Sequence, residues 1–150
     1  MRPLTAALAF CLAAPAALAE EVGRVGVDWV GNDIVVESFP DPKAAGVTCH
    51  IAYFDRSVYD RLSQGNWFED PSYSAVDCAQ TGPITLSPDL SDDPDGERVF
   101  SERQSLILKS LVVTRIWDKK NNALVYLAHA NELTQGSGKM SLSVIPLSAP

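Results

Sequence analysis

Two β-favouring runs separated by a polar cluster constrain this chain more than any other feature. Ser105 to Trp117 and Ala123 to Ala130 flank Asp118-Lys-Lys-Asn-Asn122, which is the pattern of an antiparallel hairpin with a turn of small polar residues. In the first arm Leu106, Leu108, Val112 and Ile116 face one way, and Ile107, Leu111, Val113 and Trp117 the other. Both faces are apolar, so the arm is expected in the middle of a sheet, covered on both sides. The second arm repeats the pattern, with Leu124, Tyr126 and Ala128 opposite Val125 and Leu127.

The first residues read as a leader and not as part of the fold. Arg2 supplies a basic start, Leu4 to Leu12 an apolar core, and Ala17-Leu-Ala19 a small-x-small cleavage site before Glu20. The apolar run is too short for a membrane span of about 20 residues. Cys11 follows bulky Phe10, where a lipid-anchored cysteine requires a small neighbour, and it is expected to leave with residues 1–19. The remaining segment, 20–150, has the length of one domain. Losing Arg2 takes the 12 basic residues to 11 against 19 acidic ones, a net charge of −8. An acidic domain without a basic cluster argues against nucleic acid as a partner, and nothing in 20–150 reads as a membrane insertion.

Cys49 and Cys78 are then the two cysteines left. In an oxidising compartment they are expected to bond to each other. The alternative, a redox-active dithiol, usually brings its thiols close in sequence, and these stand 29 positions apart.

Glu21 to Phe39 reads as an opening hairpin turning at Gly31-Asn32-Asp33, and Pro40 to Gly46 as a break, since proline cannot continue a ladder. In the third strand, Val47 to Phe54, Val47, Cys49, Ile51 and Tyr53 share a face opposite His50. The spacing of Val58 and Leu62 predicts one short helix near residues 57–64, followed by an aromatic loop with Trp67, Phe68 and Tyr73. Ala75 to Gln80 is read as a short strand, Thr81-Gly82-Pro83 as a turn, and Ser87 to Gly96 as an acidic surface loop. Strands are expected at 97–103 and 140–145, the latter with Leu142 and Val144 facing one way. The fold class is therefore mainly β: a single-domain antiparallel sandwich or partly closed barrel.

Candidate chemistry is sparse. Lys109 and Arg115 lie on the Ile107, Leu111, Val113 face of the central strand, where an unpaired charge would cost several kcal/mol. They define a candidate ligand-binding cluster for a small anion, with Glu37 as a partner. The competing reading is a structural ion pair. His50 and His129 are the only imidazoles. They lack zinc-ligand spacing, and no Gly-x-Ser-x-Gly elbow accompanies them. Ser91, Asp93, Asp95, Gly96 and Glu102 match places of a calcium-binding loop, but Pro94 interrupts it and strands are expected to flank it. No cofactor and no metal site is expected.

Gly46-Val-Thr-Cys49, Cys78-x-Gln80-x-Gly82-Pro-Ile84, Ser105-Leu-x-x-Lys-Ser-Leu111-x-Val-x-Arg115-x-x-Asp118 and Ala123-Leu-x-Tyr-Leu-Ala128 together resemble the CreA family of bacterial periplasmic proteins. Val35-Val-Glu-Ser-Phe-Pro-Asp-Pro42 fits as well. The resemblance runs along all of 20–150. It implies a single-domain exported protein, and the family's two cysteines map to Cys49 and Cys78. Members are named for association with a carbon-source and envelope-response regulatory locus. Tyr53 to Asp70 departs from the pattern, being bulkier and more aromatic than the glycine-rich version of some members.

The expectation is a periplasmic, non-catalytic binding or accessory protein of the cell envelope, its partner an envelope protein or a small anionic ligand. Its site is expected around Lys109 and Arg115, or along Trp67 to Tyr73. Two alternatives are a hydrolase of envelope material acting through His50 or His129, and a thiol-exchange protein, which would need an exposed disulfide.

Overall fold

The computed structural model describes residues 19–29, 31–55, 62–63, 74–103, 110–131 and 139–147. Among them run eight strands: β1 (Glu20–Gly26), β2 (Asp33–Pro40), β3 (Ala44–Asp55), β4 (Ser74–Leu86), β5 (Glu97–Arg103), β6 (Ser110–Asp118), β7 (Ala123–Ala130) and β8 (Ser141–Pro146). They form two antiparallel four-stranded sheets in chain order, β1-β2-β3-β4 and β5-β6-β7-β8. The chain is thus mainly β and adopts the sandwich of the two expected architectures, without closing into a barrel. Of the helix expected near 57–64, Leu62 and Ser63 are helical; its other residues lie outside those described, as do Trp67 to Tyr73 and residues 1–18.

Alternation places the core. Val47, Cys49, Ile51 and Tyr53 of β3 are buried while His50 is exposed, so the face read from the sequence is the inner one. Across from it lie Phe100, Leu111, Val113, Leu124, Tyr126, Ala128 and Ile145 of the second sheet. Phe39 and Phe100 stack between the sheets with ring centroids 4.8 Å apart. The β6–β7 hairpin is central in its sheet, as expected. Val112, on the other face of β6, is buried as well, whereas Thr114 and Ile116 beside it are half-buried.

Residues 81–83 do not form the expected turn. β4 runs unbroken through them, and its pairing with β3 slips between Ala45 and Val47, leaving residues 81–84 bulged opposite Gly46. Gly46 has φ +85°, and a Cβ there would stand 2.3 Å from the Pro83 carbonyl oxygen. The Gly-Pro pair that reads as a turn in isolation is accommodated because the opposing residue has no side chain.

One seam joins the sheets. β4 lies against β8, and no ladder connects them. Instead, the Val76 and Cys78 N–H groups donate to Ser141 Oγ and Ser143 Oγ at 2.9 Å each. Leu142 and Val144 share one face of β8, as expected, and that face is the outer one. Ser143 and Ile145 point inward, and Leu142 and Val144 are 59% and 51% exposed. Ser143→Ala should strand the buried Cys78 N–H and cost about 1–3 kcal/mol. Leu142→Ser, on the outward face, should change stability by no more than about 0.5 kcal/mol. Urea unfolding of the two variants checks the order; a larger loss for Leu142→Ser would contradict it.

Candidate functional site

The interior holds an ion cluster centred on Arg115, which is 2% exposed. In register, β6 places Arg115 between Glu97 of β5 and Tyr126 of β7. Gly96 (φ +75°) sets this up: a Cβ there would lie 2.6 Å from the Arg115 carbonyl oxygen, so only glycine lets the loop close against β6 immediately before Glu97. The remaining partner comes from the other sheet. Asp41 follows the last residue of β2 and is 4% exposed.

Arg115 Nη1 donates to Asp41 Oδ1, and Nη2 to Glu97 Oε2 at 2.5 Å. Asp41 Oδ1 also accepts the backbone N–H groups of Lys43 (2.8 Å) and Ala44 (2.9 Å), and Oδ2 accepts Tyr126 OH at 2.6 Å. The cluster continues outward through Lys43 Nζ, 2.7 Å from Glu97 Oε1 and 3.1 Å from Asp89 Oδ2. Cations and carboxylates therefore alternate from the core to the surface, and each buried charge meets an opposite one, as a low-dielectric interior demands. Burial, and then its hydrogen bond to Asp41, push the Tyr126 phenol well above its usual range. Hydrogen bonds to Glu97, and then to Asp89, raise the Lys43 ammonium.

Arg115 thus has carboxylate partners, but they are Asp41 and Glu97, not the expected Glu37. Glu37 lies on β2 with Val35 and Phe39, paired across to Ile51. Its Oε2 is buried without a hydrogen-bond partner among the described residues, as is Trp117 Nε1. Lys109 lies outside the described residues. Asp41 was hidden in Pro40-Asp41-Pro42, which reads as a strand breaker. The usable signal was an aspartate placed to accept the N–H groups two and three residues on, the mark of an Asx-type turn.

The histidines occupy different settings. His129 Nδ1 lies 2.8 Å from the Ala130 carbonyl oxygen and Nε2 3.0 Å from Thr114 Oγ1, so both ring nitrogens are occupied. His50 is exposed on the outer face of the first sheet, on one rung with Ser38 and Asp77. No hydrogen bond joins those three among the described residues. In the acidic loop Asp93 Oδ1 accepts the Asp95 N–H at 3.0 Å, and the Ser91 hydroxyl accepts the Asp93 N–H at 3.2 Å. These are turn-forming bonds. No group of three or more His, Cys, Asp or Glu residues placed to hold a metal ion occurs among the described residues.

Beyond His50, toward the end of β3, a groove of about 510 Å³ is lined by Ala52, Tyr53 and Phe54 of β3, Ser74 and Ala75 of β4 and Ile34 of β2. Ala52 and Ala75, paired across β3 and β4, form part of its floor. Ile34 and Phe54 are paired across β2 and β3, and Lys139 and Met140, just before β8, complete the lining. Its size falls within the range of small-molecule sites, about 300–1,000 Å³. Sequence reading missed it because a depression made by two alanines leaves no motif.

The disulfide is formed. Cys49 and Cys78 are directly opposed on β3 and β4, with Cα atoms 3.9 Å apart, and are 0% and 7% exposed.

These features define a small β sandwich clamped by one buried disulfide, with an ion cluster inside and an apolar groove outside. The chain belongs to the CreA family: the family model described as "CreA protein" matches residues 22–150. Protein CreA of Escherichia coli (strain K12) is 39% identical over 150 residues, covering 96% of this chain and 94% of the relative. The CreA proteins of Escherichia coli O6:H1 and O157:H7 match to the same extent. No solved structure matches the chain.

Proposed function

We propose that this CreA-type protein is exported, loses Met1–Ala19 and works in the periplasm as a non-catalytic binding or accessory protein of the cell envelope, within catabolite or envelope-response regulation. The observation that carries the reading is the Cys49–Cys78 bond, sealed in the core between two strands. A bond of this kind belongs to an oxidising compartment, because cytoplasmic reductants keep thiols free. Its burial also disfavours the thiol-exchange alternative, which needs exposed sulfur. The absence of catalysis is supported by how the buried polar groups are used. Asp41, Arg115, Glu97 and Tyr126 bond one another, and His129 is held by Thr114 and its own strand. Binding then falls to the surface, where the groove over Ala52 and Ala75 offers itself to a small ligand.

The test is to express the full chain in a Gram-negative host and analyse the osmotic-shock fluid by intact mass. The expected product begins at Glu20 and, after unfolding, has no thiol reactive to alkylation. An unprocessed chain in the cytoplasm with two free thiols at 49 and 78 would overturn the proposal. The rung Ser38, His50 and Asp77 keeps hydrolysis as the second reading. Turnover of an ester substrate, lost in His50→Ala, would establish it.

A further inference from the structure

We infer that the outer face of the second sheet is a contact surface between two copies of this chain, which associate face to face as a reversible dimer. The inference is independent of the ligand reading above. It begins from the sequence: both faces of the β6–β7 hairpin are apolar, and an antiparallel sheet with two apolar faces needs cover on both. The first sheet covers one of them. On the other, ladder pairing sets two successive rungs side by side, Thr114–Leu127–Leu142 and Ile116–Val125–Val144, with Thr114 the one polar member. Those of β6 and β7 are only half-buried, and Leu142 and Val144 are more than half exposed. Single surface leucines need no explanation, whereas a contiguous apolar area marks a contact surface.

Two observations select a second copy as what covers it. The first is how the polar groups are used. Thr114 Oγ1 lies 3.0 Å from His129 Nε2, and His129 Nδ1 2.8 Å from the Ala130 carbonyl oxygen, so this hydroxyl and imidazole are satisfied within their own sheet. A surface that requires no hydrogen bond from outside is complementary to another like itself, and identical faces meeting about a two-fold axis make every contact twice. Sheets already pack in this way inside the molecule, about 10 Å apart with interleaved side chains. The second observation is size. Four strands at about 4.8 Å spacing, and the six steps from Val112 to Asp118 at about 3.3 Å rise, give a face of roughly 19 Å by 20 Å. About 400 Å² in plan on each copy is half of the roughly 800 Å² per partner of a standard specific interface, and the relief of the side chains adds to it. An interface of that class holds two copies weakly and releases them on dilution.

The test is sedimentation velocity of the disulfide-bonded protein from about 1 µM to about 500 µM, a range that brackets weak association. A monomer is expected at the low end and a dimer at the high end. Leu142→Glu and Val144→Lys place charges of opposite sign on the face, and each should raise the dissociation constant at least about tenfold. Both positions are exposed in the monomer, so at the lowest concentration neither variant should shift the melting temperature. Val25→Glu, on the outer face of the first sheet, is the control and should leave dimerisation unaltered. A chain that stays monomeric throughout, or a dimer that Leu142→Glu and Val144→Lys leave intact, would overturn the inference. So would a dimer lost in Val25→Glu, which would place the contact on the other sheet. Binding of the monomer to phosphatidylglycerol vesicles, lost in Leu142→Glu and without any dimer, would give the face to a lipid surface and overturn the second copy as its occupant.

Discussion

Replacing Asp41 by alanine is expected to lower the unfolding free energy by on the order of 3–5 kcal/mol, the cost of removing one partner of a buried charge pair. The substitution removes more than the charge opposite Arg115. It takes away the acceptor for Tyr126 OH and for the N–H groups of Lys43 and of Ala44, the first residue of β3. Glu97 alone then faces Arg115, while also bonding Lys43. A domain of this size is stable by about 5–15 kcal/mol, so the variant should fold but unfold at much lower urea. Tyr126→Phe, which deletes one hydrogen bond to a charged acceptor, should cost about 1.5–3 kcal/mol. Because both residues share a contact, the double variant should lose less than the two separate losses combined. Additive losses would mean that the residues act independently, against the geometry. An alkaline series gives the same cluster a second readout. The Tyr126 phenol titrates higher in the folded than in the unfolded chain, so above about pH 10, the ordinary tyrosine value, the folded state holds a proton that the unfolded state has released. Stability must then fall as pH rises, by up to about 1.4 kcal/mol per pH unit from this group. Below pH 10 its contribution is fully present. Tyr126→Phe should flatten the alkaline limb by that component, and parallel curves would show that burial and Asp41 do not raise the phenol in the folded chain.

How far such features can be read from the chain depends on how local their causes are. Alternation along Val47, Cys49, Ile51 and Tyr53 disclosed an inner face because each residue needs only its own strand's pleat. The β6–β7 hairpin was legible for the same reason, its turn residues lying between its two apolar runs. Arg115 was recognisable as a buried cation in need of a carboxylate, but not as the partner of Asp41. That residue is 74 positions away and lies in the connection between β2 and β3. In β8 the period is plain and its sense is not. Leu142 and Val144 would ordinarily point inward, yet the hydroxyls of Ser141 and Ser143 are needed at the seam, where unpaired β4 N–H groups await an acceptor. Gly82-Pro83 misleads in the same manner, since whether it turns or bulges is decided by Gly46 across the ladder. What pattern reading misses here is set by contacts between strands distant in sequence.

Removing the disulfide is the other large expected effect. Cys49→Ala with Cys78→Ala should cost roughly 3–4 kcal/mol, since the bridge spans 29 positions and the loss scales weakly with the loop it closes. Its place in the fold argues that the loss will appear as lowered stability and not as failure to fold. β3 and β4 remain paired on both sides of residues 49 and 78, and the core opposite them is built from the second sheet. The site also separates two roles for position 78. Its side chain carries the bridge, while its N–H reaches across the seam to Ser143, and alanine removes the first and preserves the second. The double alanine variant should therefore keep the native β-sheet circular dichroism and unfold cooperatively at lower urea, with a midpoint indifferent to added dithiothreitol. The parent protein should resist the same reductant when folded, because both sulfurs are buried, and lose the bridge when unfolded in urea. Folded-state reduction as fast as that of the unfolded chain would contradict the buried placement. A double variant within about 1 kcal/mol of the parent, well short of the range for native disulfides, would show that the ladder and seam hold β3 to β4 without help from sulfur.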